Sequence, residues 1–331
     1  SQVCYHTTLG CSYSLCNKHG VWEYTTNNCY FYKENSVYNI GTVVNIRRKM
    51  LRMTMKELYE GVCSEKTLRN LEHNRAGTHR DIAEELLGRL GLPAGYHRMG
   101  IITDKRETIE LYTQWKRLSR EFKFAECREI MNELEKQLSS NIVNRQFVEW
   151  GKNIVAYELK ELDYITYIEK MSDCLGITIR IEDILSAKSI YLSNNEKGIL
   201  YQISAKYKYN GDESSAFKYI EPIYRKLKEC TDIDIQENIK DYEFYMTFAA
   251  SILGSLGEYE ESNIISNKVI RAQLQYGRIN GINCNLSSMA WNQNKVDENK
   301  KVYNEQLYQC ILWSQMSNDS YFENRYRARM T

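Results

Sequence analysis

Residues 54–72 read TMKELYEGVCSEKTLRNLE, and their spacing predicts two short helices joined by a tight turn. Thr54 is a natural N-cap, and Glu57 stands three residues on, the Thr-x-x-Glu pattern of a capping box. Leu58 and Val62 are four apart, so both face one side of the first helix. Gly61 lies beside the turn, where a residue without a Cβ takes a left-handed backbone freely. Ser64 caps the second helix, whose Leu68 and Leu71 point inward. Glu65, Lys66, Arg69 and Asn70 are left facing outward. A short exposed helix with cations and an amide near its N-terminus suits the major groove of DNA. A surface helix of a protein-docking domain would present a similar face.

The flanks extend the same unit. Ile40, Val43, Val44 and Met50 form a helical apolar stripe before it. DIAEELLGRLGL, residues 81–92, forms another after it, closed by Gly91 and Pro93, a common helix stop. Between Ile40 and Arg98 there are 11 Lys and Arg against 7 Asp and Glu, so this segment is +4 while the whole chain is +1. The positive charge is concentrated where phosphate would be met.

Residues 40–92 resemble the phage-repressor (Xre-type) helix-turn-helix domain, through Gly41, Arg48, Thr54, Leu58, Ser64, Leu68 and Glu72. The wording ELYEGVCSEKTLRNLE is similar to that of the Rgg and PlcR (RRNPP) peptide-pheromone regulators. The resemblance implies an all-α fold: a phage-repressor-like helix-turn-helix domain followed by a TPR-like α-solenoid that binds a short signalling peptide. It also implies a structural ion pair between Arg48 and Glu72, tying the first helix to the recognition helix. Met55 stands where that family often carries a DNA-contacting Gln, and Tyr59 where it carries a small residue.

A chain of 331 residues with only two prolines, Pro93 and Pro222, is long enough for two or three helical domains. No run of 18 apolar residues and no secretory leader is visible, which points to a cytoplasmic protein without a membrane partner. The first residue is Ser1, as in a fragment or a processed chain. Of ten cysteines, Cys63, Cys127, Cys174, Cys230, Cys284 and Cys310 are scattered, as free thiols on apolar helix faces would be. Cys4, Cys11, Cys16 and Cys29 cluster with His6 and His19, yet no C-x-x-C pair occurs, so no metal and no cofactor is expected.

Residues 1–36 are rich in Tyr and Cys and read either as an N-terminal extension or as the tail of a truncated upstream repeat. Residues 37–98 form the reading head. Residues 99–331 read as a TPR-like ligand-sensing and dimerisation domain of five hairpins: Asp104–Leu118 with Ala125–Leu138, Arg145–Leu159 with Tyr164–Leu175, Glu196–Tyr209 with Ser214–Leu227, Ile239–Leu256 with Tyr259–Tyr276, and Asn280–Asn294 with Asp297–Met316. Turns recur every ~37–50 residues, looser than the tetratricopeptide period. A small residue, Ala216 or Ser262, follows the turn glycine by five and lets paired helices approach closely.

The candidate DNA-binding residues are Lys56, Ser64, Lys66, Thr67, Arg69, Asn70 and Arg75. Lys66, Arg69 and Asn70 are placed for base edges, and Lys56, Arg75 and Arg47 for phosphate. Asn195, Tyr201, Asn283 and Asn285 are candidates for peptide contact, because Asn amides clamp an extended backbone and Tyr supplies rigid contact area. Helix caps and core positions would use the same residue types. No phosphate loop, H-E-x-x-H or G-x-S-x-G occurs, so an enzyme is not expected. The expected function is a homodimeric regulator that reads a double-stranded operator and senses a short linear peptide. The alternatives are a helical-repeat interaction protein and a phage- or plasmid-type repressor without a peptide ligand.

Overall fold

The computed structural model describes residues 40–73, 75–76, 78, 80–92, 100–101, 103, 105–140, 142–187, 190–279 and 281–330. The readings made for residues 1–36, and those for Pro93 and Asn280, lie outside them. Every regular element among the described residues is a helix. The chain forms two compact units, Val37–Pro222 and Ile223–Thr331.

The first unit begins with α1 (Ile40–Met50), α2 (Met55–Tyr59), α3 (Glu65–Glu72) and α4 (Arg80–Arg89). Val44, Leu58, Leu68, Leu71, Leu86 and Leu90 close over one another as their shared core. Met55 and Tyr59, the two departures from the family pattern, pack against this core half-buried. Then come α5 (Arg106–Arg120), α6 (Phe124–Gln137), α7 (Ile142–Glu158), α8 (Tyr164–Gly176), the short α9 (Ile181–Ser186), α10 (Asn194–Tyr209) and α11 (Glu213–Lys228). Tyr112, Trp115 and Phe147 meet edge-to-face, with ring centroids 5.3 Å apart for each pair with Phe147, in a core that also holds Met131 and Leu134. A Cβ at Gly151 would overlap Met131, so glycine is what lets α7 approach α6.

The second unit takes in the end of α11, the short α12 (Asp232–Glu237), the hairpin α13 (Ile239–Ser255) and α14 (Tyr259–Gln275), the hairpin α15 (Ile282–Asp297) and α16 (Lys300–Met316), and α17 (Ser320–Arg327). The small residues after the turns do the same work in both units. Ser204 donates its hydroxyl to the Ala216 carbonyl across α10 and α11. Ser262 donates to the Ala250 carbonyl at 2.8 Å across α14 and α13. Both contacts need side chains short enough for the backbones to come together. Gly211 and Gly257, at φ +79 and +88, make the turns.

The ten long hairpin helices match the sequence expectation to within a few residues. The main shift is Asp297, which ends α15 instead of opening α16, because Glu298 turns left-handed at φ 50 and Asn299 caps the next helix. Three short helices, α9, α12 and α17, were not expected. Among the described residues no helix is long and apolar enough to cross a membrane.

Candidate nucleic-acid interface

The reading head is built from caps inward. Thr54 Oγ1 accepts the Glu57 backbone N–H at 3.2 Å, and the Thr54 N–H donates to Glu57 Oε2 at 2.7 Å, a complete capping box. The Thr54 hydroxyl, which donates to Glu57 Oε2 at 2.7 Å, and then the Thr54 N–H hold the Glu57 carboxyl below its ordinary pKa. Gly61 sits at φ +77 and turns the chain toward Ser64, whose Oγ accepts from Thr67 N at 3.1 Å and opens α3. Leu68 and Leu71 are buried, which fixes the rotation of α3 about its axis. One supporting residue has no local sequence signal. Arg89, at the end of α4, donates to the carbonyls of Leu58 and Glu60 at 3.3 and 2.6 Å. It thereby satisfies acceptors left open where α2 ends.

Arg48 grips Glu72 through two bonds, Nε to Oε1 at 2.6 Å and Nη2 to Oε2 at 2.8 Å. A third donor, Arg48 Nη1, reaches the Met53 carbonyl at 3.0 Å. Asn45 adds a bond to Glu72 Oε2 at 3.2 Å. The hydrogen bond to Glu72 raises the Arg48 pKa despite partial burial. The end of α3 is therefore tied to α1 by a fork-to-carboxylate pair, the geometry in which arginine is strongest.

On the outer side of α3, Glu65, Lys66 and Arg69 are exposed, and Asn70 is half-buried. Arg69 forms an ion pair with Glu65 one turn earlier. Lys56 lies 3.9 Å from Glu60, Arg75 is exposed, and Thr67 shares a hydroxyl contact of 2.9 Å with Ser64. The structure thus brings Ser64, Lys66, Thr67, Arg69 and Asn70 together on one short helix and its cap.

Arg47 does not join them, which corrects the expectation that it meets phosphate. It is wholly buried, and its guanidinium donates to the Leu90 carbonyl at 2.9 Å, the Tyr191 carbonyl at 3.0 Å and Glu196 Oε1 at 2.6 Å. Glu196 also accepts from Thr178 Oγ1 at 2.6 Å and from the Ser193 N–H at 2.7 Å. Burial alone would raise the Glu196 pKa, but the Arg47 charge and the hydrogen bonds from Arg47 and Thr178 outweigh it and hold the carboxyl low. An ion pair buried on both sides thus joins α1 of the head to the N-terminus of α10.

A second correction concerns the asparagines expected to hold a peptide. Asn195 is buried and donates to the Gly100 and Val143 carbonyls at 2.8 and 3.3 Å. Asn283 donates to Ser314 Oγ at 2.8 Å and Asn285 to Thr247 Oγ1 at 2.9 Å, both from inside the helical layers. A buried amide is costly unless hydrogen-bonded, and these three spend their donors on holding helices together. In this conformation they present no surface to a ligand. Tyr201 is half-buried, and burial pushes its hydroxyl up to about 12.

No protein-family model matches the chain, and no curated protein sequence matches it. Among solved structures, Bacillus thuringiensis PlcR in complex with the peptide PapR7 and DNA has a TM-score of 0.53 at 18% identity, covering 87% of this chain and 98% of that one. Apo PlcR of the same organism has a TM-score of 0.54 at 16% identity, covering 88% and 99%. ComR from S. thermophilus, solved with DNA and its signalling peptide ComS, has a TM-score of 0.49 at 15% identity, covering 88% and 98%. The likeness that residues 40–92 carry in sequence thus extends, as a likeness of fold to PlcR, over nearly the whole chain: a helix-turn-helix head followed by TPR-like helical hairpins.

Proposed function

We propose that the protein is a DNA-binding transcriptional regulator whose helical hairpins sense a short linear peptide. The carrying observation is the capped pair α2–α3, which offers Lys66, Arg69 and Asn70 from a rotationally fixed helix. The fold likeness to PlcR, solved with a peptide and DNA, supports the same reading. In this reading Arg69 and Lys66 meet guanine edges, Asn70 meets adenine, and Lys56 and Arg75 meet phosphate, with Ser64 and Thr67 at the helix start. Residues 37–98 act as the head and residues 99–331 as the sensor and dimerisation region of a cytoplasmic homodimer. Two heads then place their α3 helices in major grooves about 34 Å apart.

The test is selection of bound sequences from a random DNA pool by the full chain. An enriched palindrome with half-sites about one helical turn apart is expected. Absence of enrichment both with and without spent culture medium as a peptide source would defeat the DNA-binding reading and favour a helical-repeat docking protein.

A further inference from the structure

The connection between α11 and α13 is longer than a hairpin turn needs. It spans residues 229–238 and folds part of itself into α12. In the second unit this insertion leaves a notch of about 530 Å³ between the end of α11, α12, α13 and α14. That volume lies within the range of small-ligand sites, about 300–1,000 Å³. Its floor is apolar: Tyr242, Met246, Ile265 and Ala272 line it and are otherwise buried. Ile264 lies on its lip, 43% exposed.

The polar groups of the notch divide into two kinds. Glu261 is committed: Lys228 Nζ lies 2.6 Å from its Oε1, and the Tyr224 hydroxyl donates to the same oxygen at 2.6 Å. The Tyr276 hydroxyl is likewise committed, donating to the Asp232 carbonyl at 3.1 Å. Lys268 and Arg271 are different. They follow Ile264 and Ile265 on the same face of α14, line the notch, are exposed, and have no ion-pair partner among the described residues. An apolar floor beside two exposed cations without ion pairs complements a ligand with an apolar body and a negative end.

We propose that this notch binds a short peptide of apolar side chains through its free C-terminal carboxylate, with the carboxylate at Lys268 and Arg271 and a side chain on Tyr242, Met246 and Ile265. The proposal rests on the peptide-sensing reading and assigns it a site. It also makes the α12 insertion functional, because a regular hairpin turn would let α11 and α14 close over the floor.

The experiment titrates the full chain, with Ile and Met methyls labelled, against a pool of N-acetylated tetrapeptides of Leu, Ile, Val and Phe. The same pool with C-terminal amides, and laurate, serve as comparisons. The acid pool is expected to shift the Ile264, Ile265 and Met246 methyl resonances. Amidation, or the exposed double substitution K268E/R271E, is expected to weaken binding about tenfold, the scale of losing a charge-assisted contact. Acid-pool binding that shifts other methyls and ignores K268E/R271E would overturn the notch and leave peptide sensing standing. Laurate binding as tightly as the peptides would show a site for carboxylates rather than for peptides, and overturn the assignment. No binding by either pool would overturn the site as assigned, while the peptide-sensing reading would still stand or fall on whether spent medium changes the operator selection.

Discussion

Arg47 and Arg48 are neighbours in sequence and opposites in use. Arg48 reaches across the head to Glu72, whereas Arg47 points the other way, into a wholly buried pair with Glu196. A charge taken from water is costly unless its partner and hydrogen bonds are complete. Both sides are complete here, so removing one should hurt more than removing both. Glu196→Gln should destabilise the protein by about 3–5 kcal/mol in urea unfolding, and Arg47→Met with Glu196→Met should recover much of that loss. A loss no larger than an exposed pair's would rule out a stabilising buried charge. The pH dependence has a definite sign. The Glu196 pKa is lowered in the folded state, so its contribution is full above the unfolded carboxylate value of about 4.3 and fades as pH falls below it. Glu196→Gln should flatten that part of the acid unfolding curve. Arg69 belongs to the proposed reading face. It is exposed and bonded only within its own helix, so Arg69→Ala should leave the fold intact and weaken operator binding by about 1–3 kcal/mol. Unchanged affinity for the selected operator would remove Arg69 from the interface. The Arg48 pairing follows from family likeness, because its partner sits at a fixed offset in a known motif. The Arg47 partner lies 149 residues away, and no local pattern points to it.

At the scale of elements, the ends of the longer helices and of the head's helices were legible where a short polar side chain or a glycine made them. Thr54, Ser64, Ser193 and Asp163 cap their helices with the bonds their residue types predict. Ser64→Ala should cost about 1 kcal/mol in stability, and operator binding should fall with it, because the same cap sets where α3 begins. Gly254 needs its missing side chain for a different reason: a Cβ there would lie 2.5 Å from Asn292 Oδ1. Gly254→Ala should therefore destabilise the chain by about 1–3 kcal/mol, as overpacking does; a neutral result in thermal unfolding would mean that Asn292 moves freely. The short helices α9, α12 and α17 are not legible in sequence because six to eight residues carry too little apolar periodicity. For α12 a capping pair was present in Thr231 and Asp234.

For the whole molecule, the +1 net charge means that under the proposed function attraction to DNA would come from the head and not from the chain at large. Arg75→Ala should weaken binding evenly across DNA sequences and reduce the log–log salt slope by about 1. A sequence-dependent loss would move Arg75 from phosphate to base contact. Sequence alone determined the all-α class, the helix-turn-helix and the paired hairpins, because each follows from caps, glycines and apolar periodicity within about twenty residues. Tertiary structure alone decided which polar groups are spent inside the molecule. Asn195, Asn283 and Asn285 share the residue type of a ligand clamp, yet their amides bind partners on other helices. It also decided where free space lies, since the notch beside α14 is lined by Asp232 and Ile235 of α12 together with residues of α13 and α14 that are far apart in sequence. Local pattern sets which face of a helix is apolar, but burial and free space depend on what the rest of the chain brings against that face.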